Sequence, residues 1–473
     1  MFGCAVDSAP GTPNHRELRR CLILLCLLGS APFLFGQGSD DDGENTSWKN
    51  DRFWLTLQGN FIRQQKPSFP ALYSGPNSLL PEKEHATSRV ETLYGGVRIT
   101  ENLEFLMDIE SAGGGGLSNA LGVAGFTNLD VVRNPTLGEN PYVARVMLHY
   151  TLPLSKDTVE AARSPIGLAS RVPRRRLEFR LGKLSTVDFF DLNSVGSDSH
   201  MQFMNWSIDN NGAYDYAADT RGYTYGLVME YYDKGWALRY GELLMPTVAN
   251  GITLDWNIVR AGGQNLEYEV RPELIRKRQT VVRTLAYLNR AAMGSYNEAI
   301  LQYREGEVTA PDITLSRRQG RVKYGFGLNI EQELSDALRV FGRVGWNNAT
   351  TESYAYTEID HTGVFGADLR GKYWKRPDDK LGAAFVVNGI SRQHGEYLAL
   401  GGSGFLLGDG GLTYGKEQIF EAYYTAHLWR GISVAGDFQH IRNPGYNQDR
   451  GPAMVSSIRI HFEDGFTSFH KKE

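Results

Sequence analysis

The stretch FEAYYTAHLWRGISVAGDFQHIRNPGYNQDRGPAMVSSIRIHF, Phe420 to Phe462, alternates apolar and polar residues along three successive segments. Phe420, Ala422, Tyr424, Ala426 and Leu428 alternate with Glu421, Tyr423, Thr425 and His427. After the turn Trp429-Arg430-Gly431, Ile432, Val434, Gly436 and Phe438 alternate with Ser433, Ala435, Asp437 and Gln439. Past a loop rich in Pro, Gly and Asn, Met454, Ser456, Ile458, Ile460 and Phe462 alternate with Val455, Ser457, Arg459 and His461. A period of two over this length marks β-strands with one apolar and one polar face. A soluble sandwich turns the apolar face inward. An outer-membrane barrel turns it to lipid and leaves the polar face to line water.

Working outward, the same alternation begins at Phe53, where Phe53, Leu55, Leu57, Gly59 and Phe61 oppose Trp54, Thr56, Gln58 and Asn60. It returns in Arg89–Ile99, Leu103–Glu110, Tyr142–Leu152, Arg176–Leu184, Tyr223–Tyr232 and Trp236–Leu244. Leu266–Arg271, Val281–Arg290, Arg321–Gln332, Leu338–Asn347, Tyr354–Leu369 and Lys380–Gly389 follow, for about sixteen segments in all. Short connections such as Asp233-Lys234-Gly235 and Leu334-Ser335-Asp336 alternate with long ones such as Ser111–Pro141, Ser185–Gly222 and Ala291–Gly320. That asymmetry belongs to an outer-membrane barrel. The connection from Leu152 to Arg176 breaks it, and its Arg174-Arg175-Arg176 run reads as a solvated turn. Trp54, Tyr231, Tyr232, Trp236, Trp346, Trp374 and Trp429 stand at strand ends, where amphipathic rings form girdles at the lipid–water boundary. Asn297–Glu305 reads as a helix within a long loop. The expected fold is all-β: a transmembrane antiparallel barrel over residues 52–463 with a loop folded into its lumen.

A net charge of −4 gives no nucleic-acid footprint. A mean hydropathy of −0.36 is no argument against a barrel, whose strands never build long apolar runs. Arg16, Arg19 and Arg20 precede the apolar run Cys21–Phe35, so residues 1–36 read as a signal peptide with cleavage after Gly36. Residues 37–51 read as a flexible periplasmic tail and residues 464–473 as a C-terminal tail. All three cysteines, Cys4, Cys21 and Cys26, fall before the expected cleavage point, which leaves no disulfide or thiolate-metal framework.

The polar faces of the early strands are charged: Glu104, Asp108 and Glu110, then Arg145 and His149, then Arg176, Glu178 and Arg180. Such rows suit a solute that needs carboxylate and guanidinium hydrogen bonding, although any water-filled barrel has a charged wall. The loop Ser185–Gly222 is the candidate constriction, since exposed loops rarely retain residues like Phe189, Phe190, Phe203 and Trp206 together. The candidate pore-lining set is Glu104, Asp108, Arg145, Arg180, Asp188, Asp191, Asn193 and Trp206. Gly113–Gly116 lacks the Lys-Ser/Thr of a phosphate loop, and no spacing calls for a metal, a cofactor or a catalytic triad.

Asp188-Phe-Phe-Asp-Leu-Asn193, Met293-Gly-Ser-Tyr296, Leu398-Ala-Leu-Gly-Gly402, Phe405-Leu-Leu-Gly-Asp409 and Glu421-Ala-Tyr-Tyr424 resemble the carbohydrate-selective porins of OprB type. So do Gln439-His-Ile-Arg-Asn-Pro-Gly-Tyr-Asn447 and Arg450-Gly-Pro452. The resemblance implies a sixteen-stranded outer-membrane barrel that passes sugars by diffusion through a constriction of arginines and acidic residues. It further implies surrounding outer-membrane lipid and insertion by barrel-assembly machinery, and it leaves a homo-oligomer open. Barrels of this type end on an aromatic residue, whereas eleven residues follow Phe462 here, Phe466 and Phe469 among them. A general or anion-tolerant porin, or an enzyme or adhesin built on a barrel, are the alternative readings.

Overall fold

The computed structural model describes residues 52–131, 137–275 and 277–465. The expected leader, the periplasmic tail and residues 466–473 lie outside them. The first strands are β1 (Phe53–Lys66), β2 (Glu84–Arg98), β3 (Leu103–Gly114) and β4 (Tyr142–Pro153). A small hairpin, β5 (Thr158–Glu160) and β6 (Arg171–Pro173), precedes β7 (Arg176–Leu184), β8 (Thr224–Asp233), β9 (Trp236–Leu244) and β10 (Gly262–Val270). The three-residue β11 (Glu273–Ile275) leads to β12 (Arg278–Met293), β13 (Arg318–Glu333), β14 (Leu338–Asn347) and β15 (His361–Gly371). The chain ends in β16 (Arg376–Gly389), β17 (Glu417–Trp429), β18 (Ile432–Arg442) and β19 (Ala453–Gly465).

Each long strand pairs antiparallel with its neighbours, and β1 pairs with both β2 and β19. The sheet is therefore a closed ring of sixteen strands, with β11 a short extension against β12 and β5–β6 a separate hairpin. At the closing seam Phe61 stacks on Phe462, and the Phe462 ring fills the space that a side chain at residue 59 would need; only Gly59 fits there.

Burial along the strands is inverted relative to a soluble protein. Ile458 and Ile460 are 60% and 46% exposed, whereas Arg459 between them is 1% exposed. Leu103, Phe105, Met107 and Ile109 likewise turn outward while Glu104, Leu106 and Asp108 are buried. The alternation thus gives an apolar exterior and an interior rich in charge, as in a lipid-facing barrel.

The structure corrects three details of the sequence reading. Residues 354–360 are not strand; β15 starts at His361. Tyr354 and Ala355 instead donate their amides to Asp215, so their alternation reflects packing inside the ring. Trp54 and Tyr232 are not girdle residues. Trp54 is buried and stacks on Tyr94, and Tyr232 donates its hydroxyl to Glu230 beneath the Arg176 guanidinium. Finally, the run Arg174-Arg175-Arg176 is solvated only in part, because Arg176 opens β7 and its largely buried guanidinium pairs with Glu178.

Ile458→Lys should destabilise the folded barrel by about 2–4 kcal/mol, the cost of a lysine on the lipid face near mid-height. Arg459→Lys, on the opposite face, should cost clearly less. Equilibrium refolding into lipid vesicles measures both, and equal losses would contradict the inside–outside assignment.

Candidate functional site

A loop that must cross the inside of a ring needs both apolar packing and partners for its backbone. The connection from Ser185 to Gly222 has both. Val195, Phe203 and Ile208 pack on an apolar patch of the inner wall that includes Phe341, Val364, Val386, Ile419 and Tyr423. Glu421 of β17 accepts the amides of Met204 (2.6 Å) and Asn205 (3.2 Å), Thr425 donates to the Met201 carbonyl (2.8 Å), and Arg459 of β19 donates to the Ser199 carbonyl (2.6 Å). The Asn205 side chain caps the one-turn helix Trp206–Asp209. A segment tied at one end to β4 and along its length to β13, β14, β17 and β19 runs across the interior.

Asp188 makes the β4 contact. Its two oxygens lie 2.7 Å from Nε and Nη2 of Arg145, whose Nη1 reaches Asp108 at 3.0 Å. This bidentate pairing fixes the guanidinium plane. Asp191 is in the left-handed region (φ 59) and pairs with Arg343 of β14 at 3.2 Å, while Asn193 bonds Asn329 of β13 at 2.7 Å. A second inserted segment, within the β3–β4 connection, meets the first. Asp130 accepts from Asn60 and lies 3.4 Å from His200.

Between the loop and the β2–β4 wall lies a cavity of about 190 Å³. Its aromatic side is Tyr94, Tyr142, Trp206, Tyr216, Tyr223 and Tyr356, with Trp206 stacked on Tyr356 at 4.7 Å and 9°. Its charged and imidazole groups are Glu110, Arg145, Arg221 and the Asp130–His200 pair. Glu110 accepts hydroxyl hydrogen bonds from Tyr223 (2.9 Å), Thr92 (3.2 Å) and Tyr142. The Arg221 guanidinium sits 3.8 Å from the Tyr142 ring centre, and that of Arg145 5.5 Å from Tyr223. Flat rings beside fixed donors and acceptors can stack on a solute and hydrogen-bond its rim at once.

Around the rest of the wall, paired charges follow one another from strand to strand. Arg180 meets Glu178 (2.7 Å) and Glu230, and Arg239 meets Glu230, Glu267 (both 2.9 Å) and Glu269 (3.0 Å). Arg283 then joins Glu269 (2.7 Å) to Glu331.

Of the residues singled out in the sequence, the structure brings Arg145 and Trp206 to the cavity, with Asp108 and Asp188 directly behind Arg145. Asp191 and Asn193 lie elsewhere and fasten the loop to β13 and β14. Glu104 and Arg180 are engaged by the β4–β7 connection. Sequence reasoning missed Tyr94, Asp130, Tyr142, His200, Tyr216, Arg221, Tyr223 and Tyr356. Tyr94 and Tyr142 lie on strands already assigned, but nothing in one strand says which tyrosine meets a loop. Glu110 shares the face of Asp108, and that shared face was the available signal.

Together these features define a porin-class outer-membrane barrel: a closed ring, apolar outside and charged within, with an aromatic and charged cavity against its inner wall. The family model described as "Carbohydrate-selective porin, OprB family" matches residues 91–463, and the chain belongs to that family. Its fold is similar to that of Pseudomonas putida OprB in the solved "High pH structure", with a TM-score of 0.67 and 14% identity over 89% of this chain and 96% of that one. The low-pH structure of the same protein gives a TM-score of 0.48 at 11% identity, covering 89% and 95% of the two chains. Porin AaxA of Chlamydia caviae is 27% identical over 138 residues, which is 29% of this chain. The match spans only 27% of that relative's own length. Family and fold are those of outer-membrane channels.

The Asp130–His200 contact ties the two inserted loops together. Burial disfavours the charged imidazole, but the Asp130 carboxylate outweighs it and raises His200 from 6.5 to about 9. Burial also acts to raise Asp130, yet His200, Asn60 and Arg459 hold it below the usual carboxylate range. Because the folded His200 is raised, its stabilising contribution is complete below pH 6.5 and is lost as pH climbs through about 9. Imidazole NMR of histidine-labelled protein should show a His200 midpoint near 9, and Asp130→Asn should lower that midpoint. A parent midpoint at or below the ordinary histidine value would contradict the pairing.

Proposed function

We propose that the protein is a passive diffusion channel for carbohydrates across the outer membrane, with the cavity between Trp206 and Arg145 as its selective throat. The observation that carries this reading is the pairing there of an aromatic stack with a fixed guanidinium and carboxylates. Sugars present hydroxyls that donate and accept at once, which suits such a mixed set of groups. Arg145 faces two carboxylates, Asp108 and Asp188, so it offers no free positive charge to an anion. For Arg145 that favours neutral solutes over the anion-tolerant alternative; Arg221, the cavity's other guanidinium, lies on the Tyr142 ring and donates to the Gly138 carbonyl. Binding in the throat is weak and release is fast, because a channel that holds its solute conducts nothing. No catalytic step belongs to this reading.

The same reading takes residues 1–36 as the export signal and the barrel-assembly machinery as the route of insertion into outer-membrane lipid. Glu104 and Arg180, first grouped with the pore lining, drop out of the sugar-contacting set; Asp108 and Asp188 act through Arg145, which they orient.

Trp206→Ala removes one stacking face, worth about 1 kcal/mol or roughly five-fold in sugar affinity. In liposome swelling assays the variant should admit sugars of increasing size with flatter discrimination, and it should pass small ions faster. Unchanged relative rates, with the barrel shown to be folded by its heat-dependent gel shift, would remove Trp206 from the throat.

A further inference from the structure

The connection between β4 and β7 lies on the short-turn side of the barrel, the periplasmic side in such proteins. Beyond the β5–β6 hairpin its tip, Ser164–Leu168, does not stay in solvent. Leu168 is fully buried within an apolar cluster that contains Trp54, Tyr94, Leu106 and Met147. A side chain at residue 96 would collide with Leu168, so the wall is glycine where the tip rests. The Leu168 amide donates to Glu104 at 3.0 Å, and Nε of Arg180 donates to the Ile166 carbonyl at 3.2 Å. Apolar Trp54, Leu106 and Met147 on the inner face of a water-filled barrel would be anomalous if bare; here the tip covers them.

We propose that Ser164–Leu168 forms a second constriction beneath the throat, a fixed strap anchored by the buried Leu168, whose backbone and half-buried Ile166 set the size limit for solutes leaving the channel. Glu104 and Arg180 are its positioning residues. Glu104 lies four residues along β3 from Asp108, or about 13 Å along the strand at ordinary strand rise. The strap and the throat are therefore separate levels in series. The throat selects by stacking and hydrogen bonding, whereas the strap, presenting backbone and Ile166, selects by size.

The inference rests on the channel reading, and planar-bilayer recording separates the two. Deleting Ser164–Leu168 should raise single-channel ion conductance on the order of two-fold and should admit larger sugars in swelling assays. Leu168→Ser, a milder change, should move both readouts in the same direction. A bulky thiol reagent should fail to modify the Leu168→Cys variant in the folded barrel. A parent that conducts nothing would sink the channel reading itself. A conducting parent matched in conductance and size limit by the folded deletion variant would overturn the strap alone, as would rapid modification of residue 168.

Discussion

Backbone pairing in hydrocarbon is the constraint on which the rest of this structure depends. An N–H or C=O left unpaired in lipid costs several kcal/mol, so a spanning sheet has no tolerable edge. The chain meets that demand by placing β1 between β2 and β19, which makes the first and last strands neighbours. Once the ring is closed, side chains alternate between lipid and lumen, interrupted only locally by register shifts such as the one between β3 and β4 beside Asp108. The period of two along Phe420–Phe462 is the visible trace of that alternation.

A ring of this size is too wide for strand side chains to fill, and barrels of sixteen strands ordinarily enclose an aqueous channel. Here much of that space is occupied by the chain itself. The Ser185–Gly222 connection lies on apolar wall residues on one side and is held by buried charges on the other. Buried ion pairs give little net stability, but losing one partner leaves an uncompensated charge at a cost of about 3–5 kcal/mol. The Asp188–Arg145–Asp108 set and the Asp191–Arg343 pair therefore act as registration devices. They hold the loop in one position against the wall. The aromatic stack of Trp206, Tyr216 and Tyr356 depends on that position.

The barrel was legible because strand alternation is local: each strand carries its own statement of which face is apolar. Aromatic crowding in Ser185–Gly222 was legible for the same reason, since a solvated loop has no use for Phe189 and Phe203. The partners of that loop were not. Arg343 lies 152 residues from the Asp191 carbonyl it bonds, and Arg459 lies 260 from Ser199. Only the register of the closed ring brings them together. Trp54 and Tyr232 misled because a strand-end aromatic looks the same whether its ring faces lipid or lumen. Residues 354–360 misled because tyrosines packed in the lumen reproduce a strand's alternation. The basic run Arg174–Arg176 drew attention to charge, whereas the most deeply buried residue of that connection, Leu168, is an ordinary leucine with no motif around it.

The most direct measurement of the central claim is single-channel conductance of the purified protein in planar bilayers during titration with a neutral hexose. A solute that enters a throat lined by Trp206, Tyr356 and Arg145 displaces ions while it resides there. Conductance should therefore fall with sugar concentration and saturate. Conductance insensitive to every sugar tried, from a barrel shown to be folded and open to ions, would contradict the assignment of this cavity as a carbohydrate throat.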